Sequence, residues 1–100
     1  MYDPHLDTFL IVANTGSFSG AADYLYITPS AVIQQINALE AKLKVPLFYR
    51  SNKGVSLTKQ GTYLKSECMD YIKKGKDVSY ENVILFSLEV GQKRKKMLNS

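Results

Sequence analysis

Between Ser17 and Glu40 the chain reads SFSGAADYLYITPSAVIQQINALE, and this stretch leaves little choice of local fold. Its second half has a sharply marked start. Thr28 suits an N-cap, and Pro29 then takes the first helical position, where a missing N–H costs nothing. Val32, Ile36, Leu39 and Leu43 follow at i, i+4, i+7 and i+11, a single apolar stripe that must face a core. The first half predicts a shorter helix opening at Ser17 or Ser19, either of which can cap free N–H groups. Phe18, Ala21, Ala22 and Leu25 share one of its faces, and the small pair Ala21–Ala22 allows close approach of a second helix. Two helices joined by a tight turn are expected, with the second running to about Lys44.

The outward face of that second helix carries Ser30, Gln34, Asn37 and Ala41, with Ile33 and Lys44 on its flank. It is polar, nearly uncharged and rich in amides. Side-chain amides can pair bidentately with adenine edges, and an apolar side chain such as Ile33 can meet a thymine methyl. This is the helix-turn-helix arrangement used to enter the major groove. Periodicity alone fits equally well any helical hairpin with a solvated outer face.

Around this pair the remaining elements fall in order. Asp3-Pro4 starts a helix whose apolar face is Leu6, Phe9, Leu10 and Ala13, and Asn14-Thr15-Gly16 ends it. Val45-Pro46 stops the third helix. Leu47–Arg50 and Val55–Thr58 are short alternating segments about Ser51-Asn52-Lys53-Gly54, which reads as a β-hairpin. Beside a helix-turn-helix such a hairpin is a wing, and Lys53 at its tip and Arg50 at its base suit phosphate contact. An ordinary surface hairpin with two solvated cations has the same sequence pattern.

Thr58 caps a further helix from Lys59. Leu64, Tyr71, Val78 and Leu85 recur every seven residues, one seam position of a helix-pairing repeat. The companion positions Cys68, Gly75 and Asn82 are poor fillers, so a dimerising helix and a helix packed on its own domain both remain open. Gly75 could bend it, and Val83-Ile84-Leu85-Phe86 could form a strand. Gly91 to Ser100 lacks periodicity and is expected to be a flexible basic tail. The formal charge of +4 weighs little for a polyanion partner, because Lys93, Arg94, Lys95 and Lys96 account for all of it and residues 1–92 carry 9 basic and 9 acidic side chains. The placement of charge has to carry that argument.

With turn, helix and wing in place, residues 5–65 resemble the N-terminal domain of a LysR-type transcriptional regulator. Leu6-Asp7-Thr8-Phe9 is similar to the family's opening helix. Gly16-Ser17-Phe18-Ser19 with Ala21-Ala22 is similar to its G-S-F-[ST]-x-A-A signature. Thr28-Pro29-Ser30-Ala31-Val32, Gln35-Ile36 and Leu39-Glu40 resemble its recognition helix. Leu47-Phe48-Tyr49-Arg50 and Leu57-Thr58-Lys59-Gln60-Gly61 resemble its wing and the start of its linker helix.

The resemblance implies a mainly α fold, a winged helix-turn-helix of three helices plus a β-hairpin wing over 1–58. A long linker or dimerisation helix over 59–90 follows, then the tail over 91–100. It also implies a homodimer on double-stranded DNA carrying an interrupted inverted repeat. The resemblance implies DNA contacts from Ser19, Thr28, Pro29, Ser30, Gln34, Gln35, Arg50 and Lys53, and the helix-face reading adds Ser17, Ile33 and Asn37 as candidates. Ser19 would hold a phosphate at a helix N-terminus, and Arg50 and Lys53 would hold backbone. Gln35 matches the family pattern but lies beside the core stripe. The implied dimer seam is Leu64, Cys68, Tyr71, Val78 and Leu85. Ile33 departs from the family's usual serine. Family members normally continue for about two hundred residues into a two-lobed effector-binding domain, on the scale of ordinary domains. A small-molecule effector is therefore expected only where that domain exists, and the chain reads as either an excised fragment or a naturally short protein.

No catalytic, metal or cofactor site is expected. His5 is the lone histidine, no His/Cys/carboxylate group has ligand spacing, and Gly-rich phosphate loops are missing. Cys68 has no accompanying base. One cysteine, no membrane-length apolar run and no N-terminal signal pattern lead to a cytoplasmic setting without membrane contact. The rival reading is a short protein-interaction module that pairs with a full-length regulator through the linker helix.

Overall fold

The computed structural model describes residues 3–74 and Tyr80. Three helices, α1 (His5–Thr15), α2 (Phe18–Leu25) and α3 (Pro29–Leu43), precede an antiparallel hairpin and a fourth helix. The hairpin is β1 (Phe48–Ser51) with β2 (Gly54–Leu57), and the helix is α4 (Lys59–Lys74). This is the winged helix-turn-helix order expected from the sequence.

Each start signal acts as its residues dictate. Ser17 Oγ accepts from Gly20 N at 2.8 Å, which fixes Ser17 and not Ser19 as the cap of α2. Thr28 Oγ1 accepts from Ala31 N at 3.1 Å, with Pro29 at the first helical position. Thr58 Oγ1 accepts from Gly61 N at 3.0 Å and donates to Pro46 O at 2.7 Å, so the cap of α4 also ties the preceding loop. At α1, Asp3 Oδ1 accepts from His5 N at 2.9 Å, and Gly16 closes the helix in the left-handed region at φ 74°. The hairpin tip is shorter than the sequence pattern suggested. Ser51 already pairs with Gly54, leaving Asn52 and Lys53 as the two-residue turn.

The core is one cluster. Val32, Ile36, Leu39 and Leu43 are fully buried along α3, as their spacing demanded. Against them pack Ala21 and Ala22 of α2, Leu6, Phe9 and Val12 of α1, and Leu47 and Phe48 at the foot of the wing. The buried edge of α1 differs from expectation. Val12 and Thr8 are inside, whereas Leu10 and Ala13 are only half-buried, because α1 turns its Leu6–Phe9–Val12 edge into the core shared with α2 and α3. Phe48 joins wing to helices through Phe9 (ring centroids 5.4 Å) and Phe18 (6.5 Å, edge-on).

Leu64 and Cys68 lie in this same core at 0% exposure. Their edge of α4 is therefore spent inside the subunit and is not open to a partner, a correction to the seam read from the heptad spacing. Tyr71 is half-buried, while Met69 and Ile72 are exposed. Val78 and Leu85, the bend at Gly75, the strand reading of 83–86 and the tail over 91–100 fall outside the described residues. Tyr80 sits with its ring under the Lys42 ammonium, 4.5 Å from the centroid, and that lysine also pairs with Asp3 at 3.1 Å.

Helix α3 ends on Lys44 in the left-handed region at φ 59°, its N–H returning to Glu40 O. A side chain there carries about 1–2 kcal/mol of strain that glycine escapes. The added freedom of an unfolded glycine offsets roughly 0.4–1 kcal/mol of that relief. Lys44→Gly should thus stabilise the domain by about 0.5–1 kcal/mol and raise its melting midpoint by roughly 2–8 °C. Thermal unfolding followed by circular dichroism checks it; a lowered midpoint would show that Lys44 makes a compensating contact.

Candidate nucleic-acid interface

Helix α3 places the candidate readers by its phase. With Val32, Ile36, Leu39 and Leu43 turned inward, Ser30, Gln34 and Asn37 stand exposed, as do Thr28 and Pro29 at its N-terminus. Ile33 is half-buried at the edge of a cleft of about 380 Å³ between α2, α3 and the wing. Ser17, Ser19, Pro29, Ile33, Arg50 and Lys53 all line that cleft. Thr28, Ser30, Gln34 and Asn37 lie outside it on the open face of α3. The N-terminus of α2, with its orphan N–H groups, thus opens into the same concavity as the wing cations.

Gln35 is in a different position. Its Oε1 accepts from Thr8 Oγ1 at 2.5 Å, tying α3 to α1 at a half-buried site. That contact accounts for the residue's place beside the core stripe.

Arg50 is held more firmly than a free phosphate contact needs. Its Nη2 donates to Glu40 Oε1 at 2.8 Å and to Asn37 Oδ1 at 2.7 Å, and the guanidinium lies over the Phe18 ring, 5.2 Å from its centroid. Both Nη2 hydrogens are used, and the donors on Nη1 and Nε remain for an outside acceptor. Glu40 in turn accepts from Leu47 N through Oε2 at 2.6 Å. One carboxylate near the end of α3 therefore fixes both the strand start and the wing arginine. Sequence reading missed this junction of Glu40, Phe18 and Arg50, since nothing local links positions so far apart. The opposite charges of Glu40 and Arg50 on consecutive elements were the one available signal.

The wing itself is clamped. Val55 N donates to Gly16 O at 2.9 Å, and Thr58 N to Leu47 O at 3.0 Å. Lys53 is exposed at the tip, where Ser51 Oγ accepts from its backbone N–H at 3.2 Å. The site has fixed donors, a cationic tip and an open amide face.

This geometry has close counterparts. Residues 4–62 match the family model described as "Bacterial regulatory helix-turn-helix protein, lysR family". The chain belongs to the LysR family. It carries the helix-turn-helix DNA-binding domain of a LysR-type transcription regulator. The HTH-type transcriptional activator AllS of Salmonella typhimurium is 44% identical over 73 residues, covering 72% of this chain and 24% of the relative. The chain thus spans about a quarter of the length of that relative. Among solved structures, a LysR-family transcriptional regulator from Eggerthella lenta superposes with a TM-score of 0.63 at 40% identity, covering 69% of this chain and 99% of that one. The BenM_DBD/catB site 1 DNA complex superposes at 0.60 and 26% identity, over 99% of this chain and 93% of that one.

The family is one of transcription regulators. Burial, with the nearby carboxylates of Glu67 and Asp7, pushes Cys68 up to about 12, so at neutral pH it is an inert buried thiol. Among the described residues no three His, Cys, Asp or Glu side chains gather as metal ligands, and no helix is long and apolar enough to cross a membrane.

Proposed function

We propose that this LysR-family domain reads double-stranded DNA in a sequence-specific manner, as one half of a cytoplasmic homodimer on an interrupted inverted repeat. The observation that carries the reading is the exposed, uncharged face of α3, where Ser30 and Gln34 stand clear of the core beside the cleft holding Lys53 and the α2 N-terminus. A helix so presented suits base edges, while the flanks suit phosphates. The likeness to a DNA-binding domain solved on DNA supports it.

Pairing is assigned to the outer side of α4. Thr62, Ser66 and Met69 follow at i, i+4 and i+7 with Ile72 beside them, all exposed, whereas Leu64 and Cys68 are consumed by the core. A small-molecule effector belongs to this function only where a further domain follows this one.

Fluorescence anisotropy against a randomised duplex pool and its selected winners, at two salt concentrations, tests the function. The expected result is enrichment of an inverted repeat bound by two chains, with log K falling about 0.9 per log unit of salt for each phosphate neutralised. Lys53→Ala should weaken all duplexes alike and lower that slope by about 2, one contact from each of the two chains. A folded chain that bound no duplex, yet formed mixed dimers with a full-length regulator, would establish the interaction module instead.

A further inference from the structure

We propose that Arg50 is a positioning residue that locks Asn37 as a donor-only contact, presenting its amide NH2 to an acceptor atom of the nucleic acid. This rests on the DNA-reading function above and specifies one of its contacts.

An asparagine amide reads adenine by offering both ends at once, Oδ1 accepting from N6 and Nδ2 donating to N7. Asn37 has its oxygen committed elsewhere. Arginine has donors and no acceptor, so the amide end facing Arg50 Nη2 at 2.7 Å must be the carbonyl oxygen. The guanidinium is itself held in place by further contacts. The other Nη2 hydrogen goes to Glu40 Oε1 at 2.8 Å, the plane rests over Phe18, and Glu40 is itself anchored by Leu47 N. Glu40 has 16% of its side chain exposed against 39% for Arg50, so the anchor is the more sheltered partner. Asn37 is exposed on the open face of α3, one turn beyond Gln34. Among the described residues nothing tethers Gln34, which there keeps both amide ends available. The two amides of one face therefore differ in kind. Gln34 can address an adenine edge, whereas Asn37 offers two N–H groups to a guanine O6 or N7, a thymine O4 or a phosphate oxygen.

The test uses the whole chain, with duplexes selected by the wild type. Asn37→Asp keeps the shape and the Arg50 contact and replaces the outward donor by an acceptor. Affinity should fall at least about tenfold, the cost of one specific contact. A base acceptor would confine the loss to duplexes carrying that base, and 7-deazaguanine or another acceptor-deleted base at one position would reproduce it. A phosphate acceptor would give a uniform loss, reproduced by a neutral methylphosphonate at one linkage. Asn37→Asp binding within twofold of wild type overturns the proposal.

Arg50→Lys tests the lock without DNA, because lysine keeps the charge but loses the planar fork. The Asn37 side-chain amide, followed by nitrogen-15 relaxation, should be ordered in the wild type and drop below an order parameter of about 0.6 in Arg50→Lys. An amide equally mobile in both overturns the lock. A folded chain that binds no duplex at either salt overturns the DNA function and the acceptor with it, while the relaxation result still decides whether Arg50 holds Asn37.

Discussion

Gly61→Ala should destabilise the domain by at least about 3 kcal/mol, at the upper end of what overpacking costs. On an open helix surface the same change would stabilise by roughly 1 kcal/mol, since alanine is the better helix former. The sign is reversed by what lies against this turn of α4. A Cβ at Gly61 would overlap the carbonyl oxygen of Leu47 outright and reach within 2.9 Å of Leu57 Cδ2. The Leu57 methyl could rotate away, but the Leu47 peptide could not. Its N–H donates to Glu40 at 2.6 Å, and its oxygen accepts from Thr58 N at 3.0 Å. Shifting it would loosen the cap of α4 and the Glu40 junction together. Urea unfolding should show a lower midpoint with an unchanged slope, and the melting temperature should fall by more than about 10 °C. A stabilised Gly61→Ala would mean that α4 stands further from the wing than this packing has it.

That contact also marks where sequence reading stops. Helix starts were legible because their chemistry is local: Ser17, Thr28-Pro29 and Thr58 each satisfy N–H groups three residues ahead, within a single turn. The α3 stripe was legible because four large apolar residues at helical spacing have one way to face inward. The phase of α1 was less so, since Leu6, Phe9, Leu10, Val12 and Ala13 allow two adjacent apolar edges and tertiary packing chose between them. The heptad on α4 left its partner open for a related reason. A seven-residue apolar repeat specifies a buried edge without saying whether a second subunit or the chain's own core buries it, and Leu64 and Cys68 are buried by the latter. Among the candidate DNA-contacting residues, exposure of Ser30 and Gln34 followed from the α3 stripe. The internal engagement of Arg50, Asn37 and Gln35 did not, because each partner lies on another element. Isolated cations and amides in a sequence look alike whether they are free or tethered.

Gly54→Ala should cost about 2–4 kcal/mol, combining backbone strain with a lost hydrogen bond, and the loss should be confined to the wing. Gly54 sits at φ 127°, a region closed to residues with a Cβ, and an added Cβ would stand 2.5 Å from Gly16 O. That oxygen is the acceptor for Val55 N at 2.9 Å, so relieving the clash withdraws β2 from the turn between α1 and α2. The helical body has separate support, since Leu6, Phe9, Val12, Val32, Ile36 and Leu39 bury one another without β2. Hydrogen exchange should therefore show protection lost at Val55, with the amides of α1 and α3 little changed. The functional consequence follows from Lys53, next to Gly54 at the tip. With the wing detached its charge leaves the cleft, so affinity for every duplex should fall and the salt slope of the two-chain complex should decrease by about 1.8, one phosphate contact from each subunit. The base preferences proposed for Ser30 and Gln34 should persist, because α3 is untouched. Had Gly54→Ala altered which base pairs are chosen while Val55 stayed protected, the wing would be part of the reading surface and not its flank.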